Sequence, residues 1–102
     1  KNIIIVNGDN VNPMEVESIL RSNDKVNQAV IIGKRKNNND LIIGFIQLKR
    51  ECSASEDEII RFCQTRLPDF KVPYKVIFVD DFKKNSRGKI DRIALKKTIS
   101  NI

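Results

Sequence analysis

The sequence predicts a small α+β domain in two layers, a three-stranded sheet with helices, preceded by an N-terminal β-hairpin. Apolar, largely β-branched runs at residues 28–33, 41–49 and 76–79 are typical of strands. Other segments place apolar residues at helical spacing behind a residue that caps a helix. With 102 residues, the chain has room for one domain, residues 1–102, with a modest core.

The first elements follow from turn and cap chemistry. Residues 1–6 read as a strand, residues 7–10 as a tight turn containing Asn and Gly, and Val11 begins a short return strand. Asn12 is a suitable helix cap and Pro13 suits the first helical position. We expect this helix to end near residues 22–23.

The middle and end of the chain alternate strands with helices. Strands at 28–33 and 41–49 are expected to pair antiparallel across a polar loop, residues 34–40, whose Asn run forms a solvated tip. Ser55 begins a capping box for a second helix, which Pro68 closes. An extended linker at 69–73 leads to the third strand, and a loop at 81–88 precedes a last helix capped by Asp91.

Composition narrows the class of protein. The chain is 40% hydrophobic and 31% charged, and it has no run near the roughly 18 apolar residues of a membrane span. Cys52 and Cys63 match no common zinc or redox spacing, so a reducing cytoplasm is the expected compartment. Cys63 falls on the apolar face of the second helix, as a small buried hydrophobe would. The abrupt start inside a strand-like run leads us to expect a fragment of a longer protein.

The net charge of +6 raises a second possibility, a non-catalytic module that binds anions such as nucleic acid. Only 6% of residues are aromatic, and they do not interleave with basic residues as a stacking platform requires. We therefore expect no nucleic-acid partner. The basic residues near the C-terminus are Lys83, Lys84, Arg87, Lys89, Arg92, Lys96 and Lys97.

Residues 85–92 are the most informative segment. Gly88 allows backbone conformations that are closed to other residues, and Lys89 beside it is a point charge on a flexible stem, suited to phosphate or carboxylate. The chain has no histidine, no evident nucleophile with a base, and no phosphate-binding loop. Lys89 therefore looks like a group that completes an active site built mostly elsewhere.

Two segments resemble motifs of the adenylate-forming enzymes, which include acyl-CoA synthetases, luciferases and peptide-synthetase adenylation domains. Residues 5–17 resemble the glycine-loop motif that opens their C-terminal domain, and residues 85–92 resemble their final lysine motif. Residues 67–73 and 77–80 match as well. The resemblance covers essentially the whole chain in the right order.

The resemblance implies two half-reactions. A carboxylic acid reacts with ATP to give an acyl-adenylate, and a thiol, usually of coenzyme A or a carrier protein, then takes the acyl group. A large N-terminal adenylation domain would bind the acid and ATP with its Mg²⁺, while the present chain would be the mobile lid that rotates between the steps. The isolated chain is then expected to be inactive.

The resemblance also assigns roles to residues. Lys89 matches the adenylation lysine, which physically suits a step that brings two anions together. Gly8, Asp9 and Asn10 match the loop that approaches the active site for thioester formation, although a plain hairpin turn also explains them. Lys1 aligns with the hinge position.

Three more residues lie where some coenzyme A ligases contact the nucleotide end of the thiol donor, namely Phe70, Lys71 and Lys75. Packing at a helix end and solvated charge would also explain them. Lys83 and Arg87 depart from the family pattern, which commonly has proline and a small polar residue there.

The glycine loop is nearer to that of acyl-CoA synthetases than to that of peptide-synthetase domains, so coenzyme A is the expected acceptor. Loading of a carrier protein is the alternative. A stand-alone module that regulates a partner enzyme is a third possibility.

Overall fold

A two-stranded hairpin opens the part of the chain that the structure, a computed structural model, describes, residues 3–102. Strands β1 (Ile4–Val6) and β2 (Asp9–Val11) pair antiparallel, with Val6 opposite Asp9. The turn between them consists of Asn7 and Gly8, both at positive φ. Asn-Gly is the favoured sequence for such a turn, and the predicted hairpin is confirmed.

Among residues 3–102, the main sheet has three strands, β3 (Val26–Lys36), β4 (Asn39–Leu48) and β5 (Lys75–Phe78). The central strand β4 pairs antiparallel with β3 and parallel with β5. A parallel pair needs a long crossover, which here contains a helix. The predicted α+β class and three-stranded sheet are confirmed.

In the described part of the chain, three α-helices accompany the sheet: α1 (Pro13–Arg21), α2 (Glu56–Gln64) and α3 (Arg92–Thr98). Each begins at the predicted cap, whose side chain accepts a backbone N–H; the caps are Asn12, Ser55 and Asp91. Within residues 3–102, no helix combines the length and the apolar character that crossing a membrane requires.

Three sequence-based assignments differ from the structure. Residues 34–40 are not a loop, because β3 continues to Lys36 and β4 starts at Asn39, leaving a turn of only Asn37 and Asn38. These two asparagines take φ values of 54° and 65°, which Asn tolerates better than most residues. The predicted extended linker contains a 3₁₀ turn (Asp69–Lys71), and α2 ends before Pro68.

Both faces of the main sheet are covered. The first face packs against α1, α2 and the hairpin, and its cluster includes Ile4, Val11, Val16, Leu20, Ile31, Ile42, Ile46, Ile59, Cys63 and Val76. The second face packs against α3 and the loop before it, with Val30, Ile32, Ile43, Phe45, Phe82 and Ile99. Alternate residues of a strand point to opposite faces, which explains why Ile31 and Ile32 belong to different clusters.

Helix α1 also binds the outer edge of β3. Glu17, only 4% exposed, accepts the N–H of Ile31 at 2.8 Å and pairs with Arg92 at 3.1 Å. Arg92 donates in turn to the carbonyl of Ile31 at 3.3 Å. The two side chains thus satisfy the backbone groups that β4, on the other side of β3, cannot reach.

Cys63 is fully buried in α2, as predicted. Burial raises the pKa of its thiol from 9.0 to about 11, an effect that the nearby charge of Arg66 partly offsets. Cys52 is half-buried, and both cysteines are free thiols. Because the thiolate is the reactive form, Cys63 is chemically shielded.

The side chain of Ile4 in the hairpin packs directly on the backbone of Gly33 in β3. A Cβ added at Gly33 would lie 2.9 Å from Cγ1 of Ile4. Gly33→Ala should lower the free energy of unfolding by about 1–3 kcal/mol, since overpacking forces neighbours apart. Urea denaturation measures this loss. Adding Ile4→Ala removes the clashing atom, so the double variant should lose less than the sum of the two single losses. Strictly additive losses would contradict the contact.

The two cysteines should differ in reactivity. In the folded chain at pH 8, a chromogenic disulfide reagent should label Cys52, whereas Cys63 should react only after denaturation, because it is buried and protonated. The Cys52→Ser variant isolates the Cys63 signal. Rapid labelling of that variant without denaturant would show that the α2 core opens readily.

Candidate functional site

The loop that carries Lys89 is closed by its own backbone. Lys84 and Ile90 form a bridge, and the Asn85 N–H donates to the carbonyl of Lys89 at 2.7 Å. Just outside, the Asp91 N–H donates to the carbonyl of Lys83 at 2.8 Å. These bonds make residues 83–91 a narrow hairpin-like stem with a five-residue tip.

Asn85 organises the tip. Its side-chain Oδ1 accepts the N–H groups of Arg87 at 2.9 Å and Lys89 at 3.1 Å, and its carbonyl accepts the N–H of Gly88 at 2.9 Å. Gly88 has a φ of +79°, and nothing lies within 4 Å of the position its Cβ would take. The glycine is therefore required by backbone conformation, not by lack of space.

Two apolar residues anchor this loop to the second face of the sheet. Phe82 is 5% exposed in that cluster, and Ile90 packs against the cluster's edge. Sequence reasoning did not single out Phe82, although an aromatic residue beside a charged loop is a signal of an anchor. The stem is therefore held by packing, while the tip projects.

The side chain of Lys89 is exposed at the tip. No hydrogen bond or ion pair joins its ammonium to another of residues 3–102. Arg87 is exposed beside it, so the tip presents two positive charges. This arrangement can offer a cation to an anionic group that approaches from outside the domain.

The glycine loop, residues 5–10 around the turn at Asn7 and Gly8, is held against the start of β4. The Asn7 N–H donates to Oδ1 of Asn39 at 2.8 Å, and the Ile5 N–H donates to Oδ2 of Asp40 at 2.8 Å. Asn39 also donates to the Asn7 side chain at 3.3 Å. The Asn run that was expected to be a solvated tip thus supplies a docking residue. A signal was present, because Asn-Asn suits a two-residue turn that leaves the next residue in a strand.

Gly8 has a φ of +86° and open space around its missing Cβ. Asp9 and Asn10 follow it in β2 with exposed side chains. The turn therefore offers an accessible backbone flanked by two polar side chains. A narrow group that passes close to the main chain could approach here.

An open pocket of about 430 Å³ lies between the hairpin and the 3₁₀ turn. Its lining includes Asn7, Val72 and Tyr74 together with Phe70. Phe70 is half-buried against the first cluster, so its ring is held in place. The fold thus brings Phe70 and Asn7 of the glycine loop around one pocket, whose lining does not include Gly8, Asp9 or Asn10.

The two lysines expected beside Phe70 are placed differently. Lys71 forms an ion pair with Glu15 at 2.9 Å, and its side chain is only 21% exposed. Lys75 is half-buried in β5, where it alternates with the inward-facing Val76 and so points to the opposite side of the strand. The structure does not bring Lys75 to the Phe70 pocket, and Lys1 lies outside the described residues.

The two motif loops dock on opposite faces of the sheet. Ile4 and Val11 of the hairpin belong to the first cluster, whereas Phe82 and Ile90 of the Lys89 loop pack in the second. The domain therefore has two distinct candidate surfaces.

A family model described as the AMP-binding enzyme C-terminal domain matches residues 15–89. The "probable acyl-activating enzyme 9" of Arabidopsis thaliana is 36% identical over 107 residues and covers 100% of this chain. The 2-succinylbenzoate–CoA ligase of Geobacillus kaustophilus is 37% identical over 98 residues and covers 95% of it. The chain spans 20% of the length of each of these relatives.

Solved structures show the same fold. Apo MatB from Rhodopseudomonas palustris matches 99% of this chain with a TM-score of 0.92 and 28% identity. A Mycobacterium tuberculosis fatty acyl CoA synthetase matches 98% with a TM-score of 0.86 and 31% identity. Each match covers 20% of the solved chain. Both the sequence and the fold of this chain match these proteins along nearly its whole length. The chain belongs to the AMP-binding enzyme C-terminal domain family.

Proposed function

We propose that this chain is the mobile C-terminal domain of an acid–thiol ligase that joins a carboxylic acid to coenzyme A at the expense of ATP. The observation that carries the proposal is the Lys89 ammonium, held at a self-closed tip and unpaired within residues 3–102. The relatives support it, since their names describe acyl-activating enzymes and CoA ligases. The rest of the site would belong to an N-terminal adenylation domain that forms most of the parent enzyme.

In the first half-reaction, a carboxylate oxygen attacks the α-phosphorus of ATP and the bond to pyrophosphate breaks. Both reactants are anions, so a preorganised cation between them lowers the barrier. Lys89 supplies that charge from a rigid loop, and its flexible stem lets the ammonium reach an oxygen on either group. The loop enters and leaves with the domain.

In the second half-reaction, the thiol sulfur attacks the acyl carbon and AMP leaves. We assign this step to the other surface, where Gly8, Asp9 and Asn10 follow Asn7, which lines the Phe70 pocket. The Phe70 ring would stack on the adenine of coenzyme A. Lys71 would meet phosphate only by sharing or leaving Glu15, which makes it a weaker candidate. Lys75 faces away from the pocket and would contact the donor only outside it.

Other partners follow from the same proposal. Selection of the acid belongs to the N-terminal domain. Within residues 3–102, no three acidic, histidine or cysteine side chains cluster as metal ligands, and we assign the Mg²⁺ that accompanies ATP to that domain as well. The two free thiols agree with a reducing, cytoplasmic compartment.

Removing the Lys89 charge should impair adenylation. In the full-length parent enzyme, Lys89→Ala should slow ATP–pyrophosphate exchange by about 10²–10³-fold, the scale of losing one preorganised electrostatic group. Lys97→Ala is the matched control, since it removes an exposed charge from α3. Exchange at the wild-type rate in Lys89→Ala would refute the role of Lys89.

A bulky side chain at the glycine loop should impair the thiol step instead. Gly8→Leu should slow thioester formation from supplied acyl-adenylate by about tenfold or more and leave exchange nearly unchanged, because the surface for adenylation is separate. Gly8→Ala is the control for backbone strain, since both variants bear a side chain at positive φ. Slower exchange with normal thioester formation would contradict the assignment of the two surfaces.

A further inference from the structure

We infer that Glu17 and Arg92 are positioning residues that hold Lys89 in place for adenylation. The inference rests on the proposed function, because it concerns the same reaction. Neither residue would contact substrate. Together they form the Glu17–Arg92 pair, which links α1, the edge of β3 and the start of α3.

The pair has a fixed geometry. One carboxylate oxygen of Glu17 accepts both the Ile31 N–H at 2.8 Å and Nη2 of Arg92 at 3.1 Å. The other terminal nitrogen of Arg92, Nη1, donates to the Ile31 carbonyl at 3.3 Å. A planar guanidinium holds its donors in a rigid fork, so these contacts define both the position and the orientation of Arg92.

The position of Arg92 is transmitted to Lys89 through a short, hydrogen-bonded segment. Arg92 is the first residue of α3, and only Ile90 and Asp91 lie between it and Lys89. The Asp91 N–H donates a hydrogen bond to the Lys83 carbonyl, and Ile90 forms a β-bridge with Lys84. Lys89, Ile90 and Asp91 each contact the backbone of the opposite side of the stem. A shift of Arg92 therefore moves the tip with it.

The pair contributes to both folding and placement. The Arg92 side chain is 42% exposed, but the Glu17 side chain is only 5% exposed, so removing Arg92 leaves a buried carboxylate without its cation and lowers the melting temperature. A reacting group can also lose about 100-fold in rate when it is misplaced by roughly 1 Å. We therefore expect a loss of adenylation at temperatures where the variant is still folded, in addition to the loss of stability.

The thiol step supplies an internal reference. Glu17 lies on α1 and Arg92 on α3, and neither lines the Phe70 pocket. Disturbing the tip of the Lys89 loop should leave the glycine loop in place, because that loop is docked through Asn39 and Asp40.

The experiment compares Arg92→Met and Glu17→Gln in the full-length enzyme. ATP–pyrophosphate exchange should fall by about 10- to 100-fold in Arg92→Met, while thioester formation from supplied acyl-adenylate should stay within about twofold of wild type. Glu17→Gln keeps an acceptor for Ile31 but loses the charge, so it should show a smaller loss of the same kind and should fold if Arg92→Met does not. Lys97→Met is the control, because it removes one exposed positive charge from the same helix.

Combination with Lys89→Ala separates positioning from general damage. If Arg92 acts through Lys89, then Arg92→Met should cause no further loss of exchange in the Lys89→Ala background. A further loss there, or equal losses in both half-reactions, would overturn the inference. Normal exchange in both pair variants, together with a loss in Lys89→Ala, would overturn this inference alone. Normal exchange in Lys89→Ala itself would overturn the proposed function.

Discussion

The carboxylate of Glu17 at the edge of β3 is the contact on which most of the arrangement depends. An edge strand exposes N–H and C=O groups that need partners. The Glu17 carboxylate accepts the N–H of Ile31. Arg92 donates to the carbonyl of Ile31 and also pairs with Glu17. This network therefore positions the first helix against β3, gives the edge of β3 hydrogen-bond partners at Ile31, and fixes the position of the first residue of the last helix. At the opposite edge of the sheet, a glutamate again satisfies a backbone donor, because Glu56 of α2 accepts the N–H of Val76 in β5.

The sheet separates the two motif loops, and each loop keeps its shape by a different use of asparagine. Asn85 bonds within its own loop, so the local shape of the Lys89 tip is set by neighbouring residues. Asn39 bonds to the other hairpin, so the glycine loop depends on the start of β4. Exposed loops lack a core of their own, and such side-chain bonds to backbone replace it. Under the proposed function the domain presents one loop at a time, and both loops must stay ordered while it moves.

Much of the candidate site could be predicted because its signals are local. Gly88 beside Lys89 and the Asn-Gly turn are encoded within a few residues, and the three helix caps also depend only on near neighbours. The environment of Lys71 was out of reach, because its partner Glu15 lies 56 positions away. Lys75 points away from Phe70 because it alternates with the inward-facing Val76 in β5, and composition did not reveal which strand residues face inward. Phe82 was missed because its burial depends on the opposite face of the sheet.

The sequence by itself determined the class of fold, the order of the elements, the helix starts and the two loops that carry the motifs. These follow from hydrophobic periodicity and turn chemistry, which act over one or two turns of chain. Only the tertiary structure decided that the loops dock on opposite faces, that β5 runs parallel to β4, and that Glu17 meets Arg92 across 75 positions. Long-range pairing decides these features, because a buried carboxylate or an open sheet edge is satisfied by whichever group the fold brings to it.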